Sequence, residues 1–104
     1  MGKLMRFLVR SWLWRNRICY DEIIFCDNDV ADSKKTACSD YLIDVMIDDK
    51  PININAIAPI TKVICYDTIY NRDCGGDNIL RAIDFNGVYS LIKYVEMTQT
   101  ILLL

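Results

Sequence analysis

The chain has 104 residues, just over half of them apolar, with few glycines and prolines and no low-complexity tract. That is enough to furnish one modest hydrophobic core and too little for a second domain, so a single domain over 1–104 is expected and disordered, collagen-like and solenoid readings fall away. The net charge of −2 conceals an asymmetry: residues 1–17 carry Lys3, Arg6, Arg10, Arg15 and Arg17 and no acid, which leaves the remainder at about −7.

The first segment, residues 3–17, places Leu4, Phe7, Leu8 (or Val9) and Trp12 on one stripe at helical spacing with arginines between them. The spacing predicts a helix, and Leu13 and Trp14 on another side predict that much of it is buried. Asp21 to Cys26 could be a helical turn or a brief extended piece, and Cys26 to Lys35 is polar and reads as a loop. Asp32 or Ser33 can cap the next helix, in which Ala37, Cys38, Tyr41, Leu42, Val45 and Met46 recur at three and four residues. It is expected to stop near Asp48, because Pro51 disfavours helical geometry in the residue before it.

Asn53 or Asn55 can cap a further helix running to about Tyr70, with Pro59 inside or just after its first turn. Its apolar residues Ile57, Ile60, Val63 and Ile64, with Ala56 and Ala58, cover most of the circumference, which suits the centre of a bundle. Gly75-Gly76 ends that unit. Asp77 can cap a short helix containing Ile79, Leu80 and Ile83, and Asn86 a last one containing Val88, Leu91, Ile92 and Val95. The expected fold class is all-α, five to seven helices packed around one apolar helix.

Chemistry finds little to stand on. There is no histidine, so the commonest general base and metal ligand are both missing. The five cysteines, Cys19, Cys26, Cys38, Cys65 and Cys74, form no C-x-x-C pair, and the N-terminus lacks signal-peptide anatomy, so free thiols in a reducing compartment are expected. Asp27-Asn28-Asp29 with Asp32 lacks the glycine and glutamate of a calcium loop, and Gly75-Gly76 lacks the Lys-Ser/Thr of a phosphate cradle. Asp48-Asp49 reads as a solvated helix end. No enzyme, metal or cofactor is expected. The start from Leu4 to Trp14 is too short and too charged to span a bilayer, so no integral membrane segment is expected, and the acidic remainder argues against nucleic acid.

Three stretches, in order, resemble the Bcl-2 family, especially its short homologues in poxviruses and iridoviruses. Residues 1–16 alternate basic and large apolar residues and close on Trp14-Arg15-Asn16, as the first helix of those proteins does. Tyr41 to Asp49 followed by Ile52 to Ile57 resembles the family's helix leading through an Asn-Trp-Gly-Arg motif into the central helix, with Asn53 as the exact match and Ala56 at the place of the arginine. Gly75-Gly76-Asp77-Asn78 resembles a later Gly-Gly-Trp-Asp motif without its tryptophan.

The resemblance implies a viral apoptosis inhibitor of the host cytoplasm, reaching mitochondria through its partners. Its surface groove would receive the BH3 helix of a pro-apoptotic host protein such as Bim, Bak or Bax. The groove residues would be Tyr41, Leu42, Val45, Met46, Asn53, Asn55, Ala56 and Ile57, with Lys50 or Arg81 as substitutes for the absent arginine. A non-covalent homodimer is expected as well. Two other readings remain open: an inhibitor of innate immune signalling on the same fold, and a membrane-surface protein that uses its basic first helix.

Overall fold

The computed structural model describes residues 2–26 and 32–103. In chain order the elements are α1 (Lys3–Arg15), α2 (Ser33–Asp40), β1 (Val45–Asp48), α3 (Pro51–Ile57), β2 (Lys62–Tyr66), β3 (Ile79–Ala82) and α4 (Phe85–Leu103). The three strands form one parallel sheet in the order β1-β2-β3. The fold is therefore mixed α/β, which overturns the expected all-α bundle around a central helix.

The physical reasons lie at the breaks. The helix expected to reach Asp48 ends at Asp40 in a Schellman turn, where the Ile43 N–H donates to the Cys38 carbonyl (3.0 Å) and the Leu42 N–H to that of Ser39 (3.3 Å). The turn places Leu42 in the left-handed region at φ 52, where glycine is usual. Beyond it Val45-Met46-Ile47 is extended. A second turn of this kind closes α1, with Arg17 at φ 57 and the Ile18 N–H on the Leu13 carbonyl (3.0 Å).

The expected central helix divides in two. Pro51 opens α3, where its missing N–H costs little, and the helix lasts only to Ile57. Past Pro59, Val63, Ile64 and Cys65 are wholly buried in β2. A run apolar on every side belongs equally to a helix at the centre of a bundle and to the middle strand of a parallel sheet, covered on both faces. Here β-branched Val63 and Ile64 make the strand. The short helix expected after Asp77 is β3. The final helix is present, but its cap is Asp84, whose Oδ1 accepts from the Gly87 N–H (2.7 Å), and not Asn86.

Alternation along the strands builds two apolar layers. Val63 and Cys65 meet Cys38, Ile54 and Ile57 on the side of α2 and α3, joined by Met46 and Ile79. Ile64 meets Ala82 and Val88 on the other side, joined by Val45, Leu80, Leu91 and Ile92, so α4 covers that face. By contrast α1, expected to be largely buried, buries none of its residues. The acidic run Asp27 to Asp29 lies outside the described residues.

Candidate functional site

In an open parallel sheet the strands all end on one side, and ligands bind in the crevice beyond those carboxyl ends. The three strands here each run out into an aspartate: Asp48 closes β1, Asp67 follows β2 and Asp84 follows Ala82 and Ile83. Asp48 is the most deeply placed, its side chain 4% exposed. Lys34 from α2 reaches its Oδ2 at 3.0 Å, the Lys50 N–H donates to Oδ1 at 2.9 Å, and the Asn53 amide donates to Oδ2 at 3.3 Å. These contacts satisfy both carboxylate oxygens, as a buried charge requires. Its neighbour Asp49 points to the surface and uses one oxygen to accept the Tyr70 hydroxyl (2.8 Å). That bond pushes the Tyr70 phenol above its ordinary range, because ionisation would set a second negative charge against Asp49.

The segment between β2 and β3 contains no helix and is held by polar side chains. Asn71 is fully buried. Its amide donates to the Asp49 carbonyl (2.8 Å) and the Tyr66 carbonyl (2.7 Å), so one side chain ties the ends of β1 and β2 together. Its Oδ1 accepts from the Thr68 N–H (3.0 Å) and from Arg81 (3.0 Å). Arg81 completes the frame through Asp67 (2.8 Å) and the carbonyls of Asn71 (2.9 Å) and Cys74 (2.8 Å). Below, Asn78 donates to the Ala58 carbonyl (2.6 Å).

A cavity of about 260 Å³ opens on this edge, lined by Ile47, Asp48, Asp49, Tyr66 and Phe85. The Tyr66 and Phe85 rings lie 5.2 Å apart at a 42° tilt and give it an aromatic wall. The Asp49 carboxylate beside the two rings can meet a cation and stack a flat group next to it, whereas the Asp48 carboxylate is spent on Lys34, Lys50 and Asn53. Among the described residues no three Asp, Glu, Cys or His side chains group to hold a metal ion by themselves. A second, larger cavity of about 560 Å³ lies along β1 and is almost wholly apolar, lined by Phe25, Ala37, Cys38, Ile43, Val45 and Met46 among others, with Lys34 at its side.

The eight residues expected to line a groove do not converge. Val45 and Met46 both border the larger cavity, although their side chains join opposite layers of the core. Tyr41 and Leu42 project from the turn after α2, 48% and 84% exposed. Asn53 is committed to Asp48, Asn55 is exposed and Ala56 half-buried on α3, and Ile57 is sealed in the core at 0% exposure. Of the two proposed substitutes for an arginine, Arg81 is consumed by the loop frame, and Lys50 serves through its backbone N–H.

Lys34, Asp48, Asp49, Tyr66, Asn71 and Phe85 went unread as a site, yet a signal was present. Val-Met-Ile-Asp, Val-Ile-Cys-Tyr-Asp and Leu-Arg-Ala-Ile-Asp are three short apolar runs, each ending in aspartate. The cysteines fit their expected role as free thiols. Burial pushes the thiols of Cys38 and Cys65 up, which keeps them protonated and poor nucleophiles.

The fold and this edge define a small α/β protein with a crevice at the carboxyl ends of a parallel sheet. No known family matches the sequence, and no curated protein or solved structure matches it either. Among the described residues no helix is long and apolar enough to cross a membrane, in keeping with the expected absence of an integral membrane helix.

Proposed function

We propose that the chain binds a small phosphorylated ligand through a divalent cation at the carboxyl edge of its sheet. The carrying observation is the cavity lined by Asp48, Asp49, Tyr66 and Phe85 beyond the ends of β1 and β2. Magnesium is typically held by one or two carboxylates together with phosphate oxygens and water, so one aspartate suffices when the ligand supplies the remaining oxygens. Asp49, exposed and with one oxygen on the Tyr70 hydroxyl, is the direct ligand in this reading. Asp48, satisfied by Lys34, Lys50 and Asn53, positions the turn that presents it. The aromatic pair suits a flat group carried by the phosphate, such as a nucleobase. Titration calorimetry with magnesium and a nucleoside monophosphate tests the reading. Binding that requires both components and is lost in Asp49→Asn, with the helix signal in circular dichroism unchanged, is expected. Equal binding without the metal would refute it.

One observation favours a second reading. Val45 and Met46, expected to contact a BH3 helix, border the apolar cavity along β1. On that reading the protein sequesters an amphipathic helix of a host protein. Ile43→Glu, at a cavity residue outside both core layers, would abolish capture of a Bim BH3 peptide and leave magnesium-dependent binding untouched.

A further inference from the structure

The helix α1 is the least partnered element of the molecule. It buries no residue, and Leu4 (70% exposed), Trp12 (57%) and Trp14 (82%) stand in solvent. Leu4, Leu8 and Trp12 follow one another at i, i+4 and i+8, so they form a single apolar stripe along the helix. A contiguous apolar face of this kind is uncommon on a solvated protein and marks a contact surface. Two of its cations, Arg6 and Arg10, lie 5.5 Å over the Phe25 ring and hold the helix to the body from one side. Lys3 and Arg15 lie elsewhere along it, and no acid occurs before Asp21.

We infer that α1 lies flat on anionic lipid, its Leu4, Leu8 and Trp12 stripe entering the boundary between headgroups and acyl chains. Charge complementarity identifies the occupant: with Arg6 and Arg10 turned to Phe25, α1 still offers Lys3 and Arg15 and carries no carboxylate, which matches a negatively charged surface. The face is convex, so it suits a planar bilayer and gives a partner peptide no groove. Nucleic acid is disfavoured because the apolar stripe would gain nothing from phosphate. At 13 residues α1 is about 20 Å long, too short to span a bilayer of roughly 30 Å. It rests on the membrane and does not cross it. This inference is independent of the ligand site.

The chain's two tryptophans are both on α1, so intrinsic fluorescence reports on this helix alone. The full chain is titrated with vesicles of phosphatidylcholine and with vesicles of equimolar phosphatidylcholine and phosphatidylserine. A blue-shifted emission with the anionic vesicles only, reversed by added salt, is expected. Co-sedimentation should weaken on the order of fivefold for each cation neutralised, so Lys3→Gln with Arg15→Gln gives about a twenty-five-fold loss. Trp12→Glu should end binding, and because α1 contributes nothing to the core its circular dichroism should match the parent. Should that variant lose structure, the double glutamine variant decides. No shift with either vesicle, or equal shifts with both, would overturn the inference. So would a lipid-free shift that grows with protein concentration alongside dimers in sedimentation, since a second copy would then cover the helix. A stronger shift with polyglutamate than with vesicles would overturn it in favour of an acidic protein.

Discussion

Replacing Asn71 by Ala removes a side chain that ties β1, β2 and β3 together at the carboxyl edge of the sheet. Its amide donates to the carbonyls of Asp49 and Tyr66, and its oxygen accepts from the Thr68 N–H and from Arg81. The residue is 0% exposed, so the orphaned groups gain little from bulk water. Three bonds between neutral groups at roughly 1 kcal/mol and one from a charged donor at roughly 2 kcal/mol give about 5 kcal/mol. A water entering the polar cavity recovers part of this, which leaves about 3–4 kcal/mol. That is a large share of the roughly 5–15 kcal/mol typical of a domain. Urea unfolding followed by circular dichroism measures it. A loss below about 1 kcal/mol would refute the reasoning, since that is the ordinary effect of changing an exposed loop residue. Asn71→Asp serves as the control: it retains the acceptors but sets a carboxylate against two carbonyls, so it should be no more stable than the alanine variant.

Two further outcomes follow from the fold and its thiols. Leu42→Gly should stabilise the protein by about 0.5–1 kcal/mol, because Leu42 is 84% exposed at φ 52 and glycine relieves the left-handed strain; in a helix continuing through 42 the same change would destabilise by about as much, so the sign of the shift in urea midpoint decides. Burial raises the thiols of Cys38 and Cys65 above the ordinary 9.0. The folded chain therefore holds protons that the unfolded chain releases, and stability should be level below that range and fall as pH rises through it. Urea midpoints at about pH 8 and about pH 10 should differ in that direction, and less so in Cys38→Ala with Cys65→Ala; equal midpoints would contradict the burial.

Local signals in the sequence were sound where an element is decided by its own residues. The stripe Leu4, Phe7, Leu8, Trp12 and the set Val88, Leu91, Ile92, Val95 each made the helix that its period indicated. The signals failed where helix and strand share one pattern. Val63, Ile64 and Cys65 are apolar without interruption, and a helix apolar all round gives the same reading as a strand covered by helices on both sides. Tyr41, Leu42, Val45 and Met46 kept helical spacing across a turn that their composition does not announce, because leucine occupies the position where glycine would have marked the end. A helix continued through Met46 to Asp48 makes Asp48-Asp49 its end, and that reading hides the row of aspartates at the strand ends. Lys34 and Asn71 could not have been placed from spacing. Their partners lie in other elements and meet them only in the folded chain: Asp48 for Lys34, and the Asp49 carbonyl, the Tyr66 carbonyl and Arg81 for Asn71.

Amide chemical-shift mapping by NMR tests the ligand-binding claim most directly, with magnesium and a nucleoside monophosphate added separately and then together. Shifts confined to the ends of β1 and β2 and the start of α4, around Asp48, Asp49, Tyr66 and Phe85, and appearing in full only with both components, are the predicted result. An unchanged spectrum with both components present, in a sample where a Bim BH3 peptide then shifts Val45 and Met46, would contradict it and leave the apolar cavity along β1 as the functional surface.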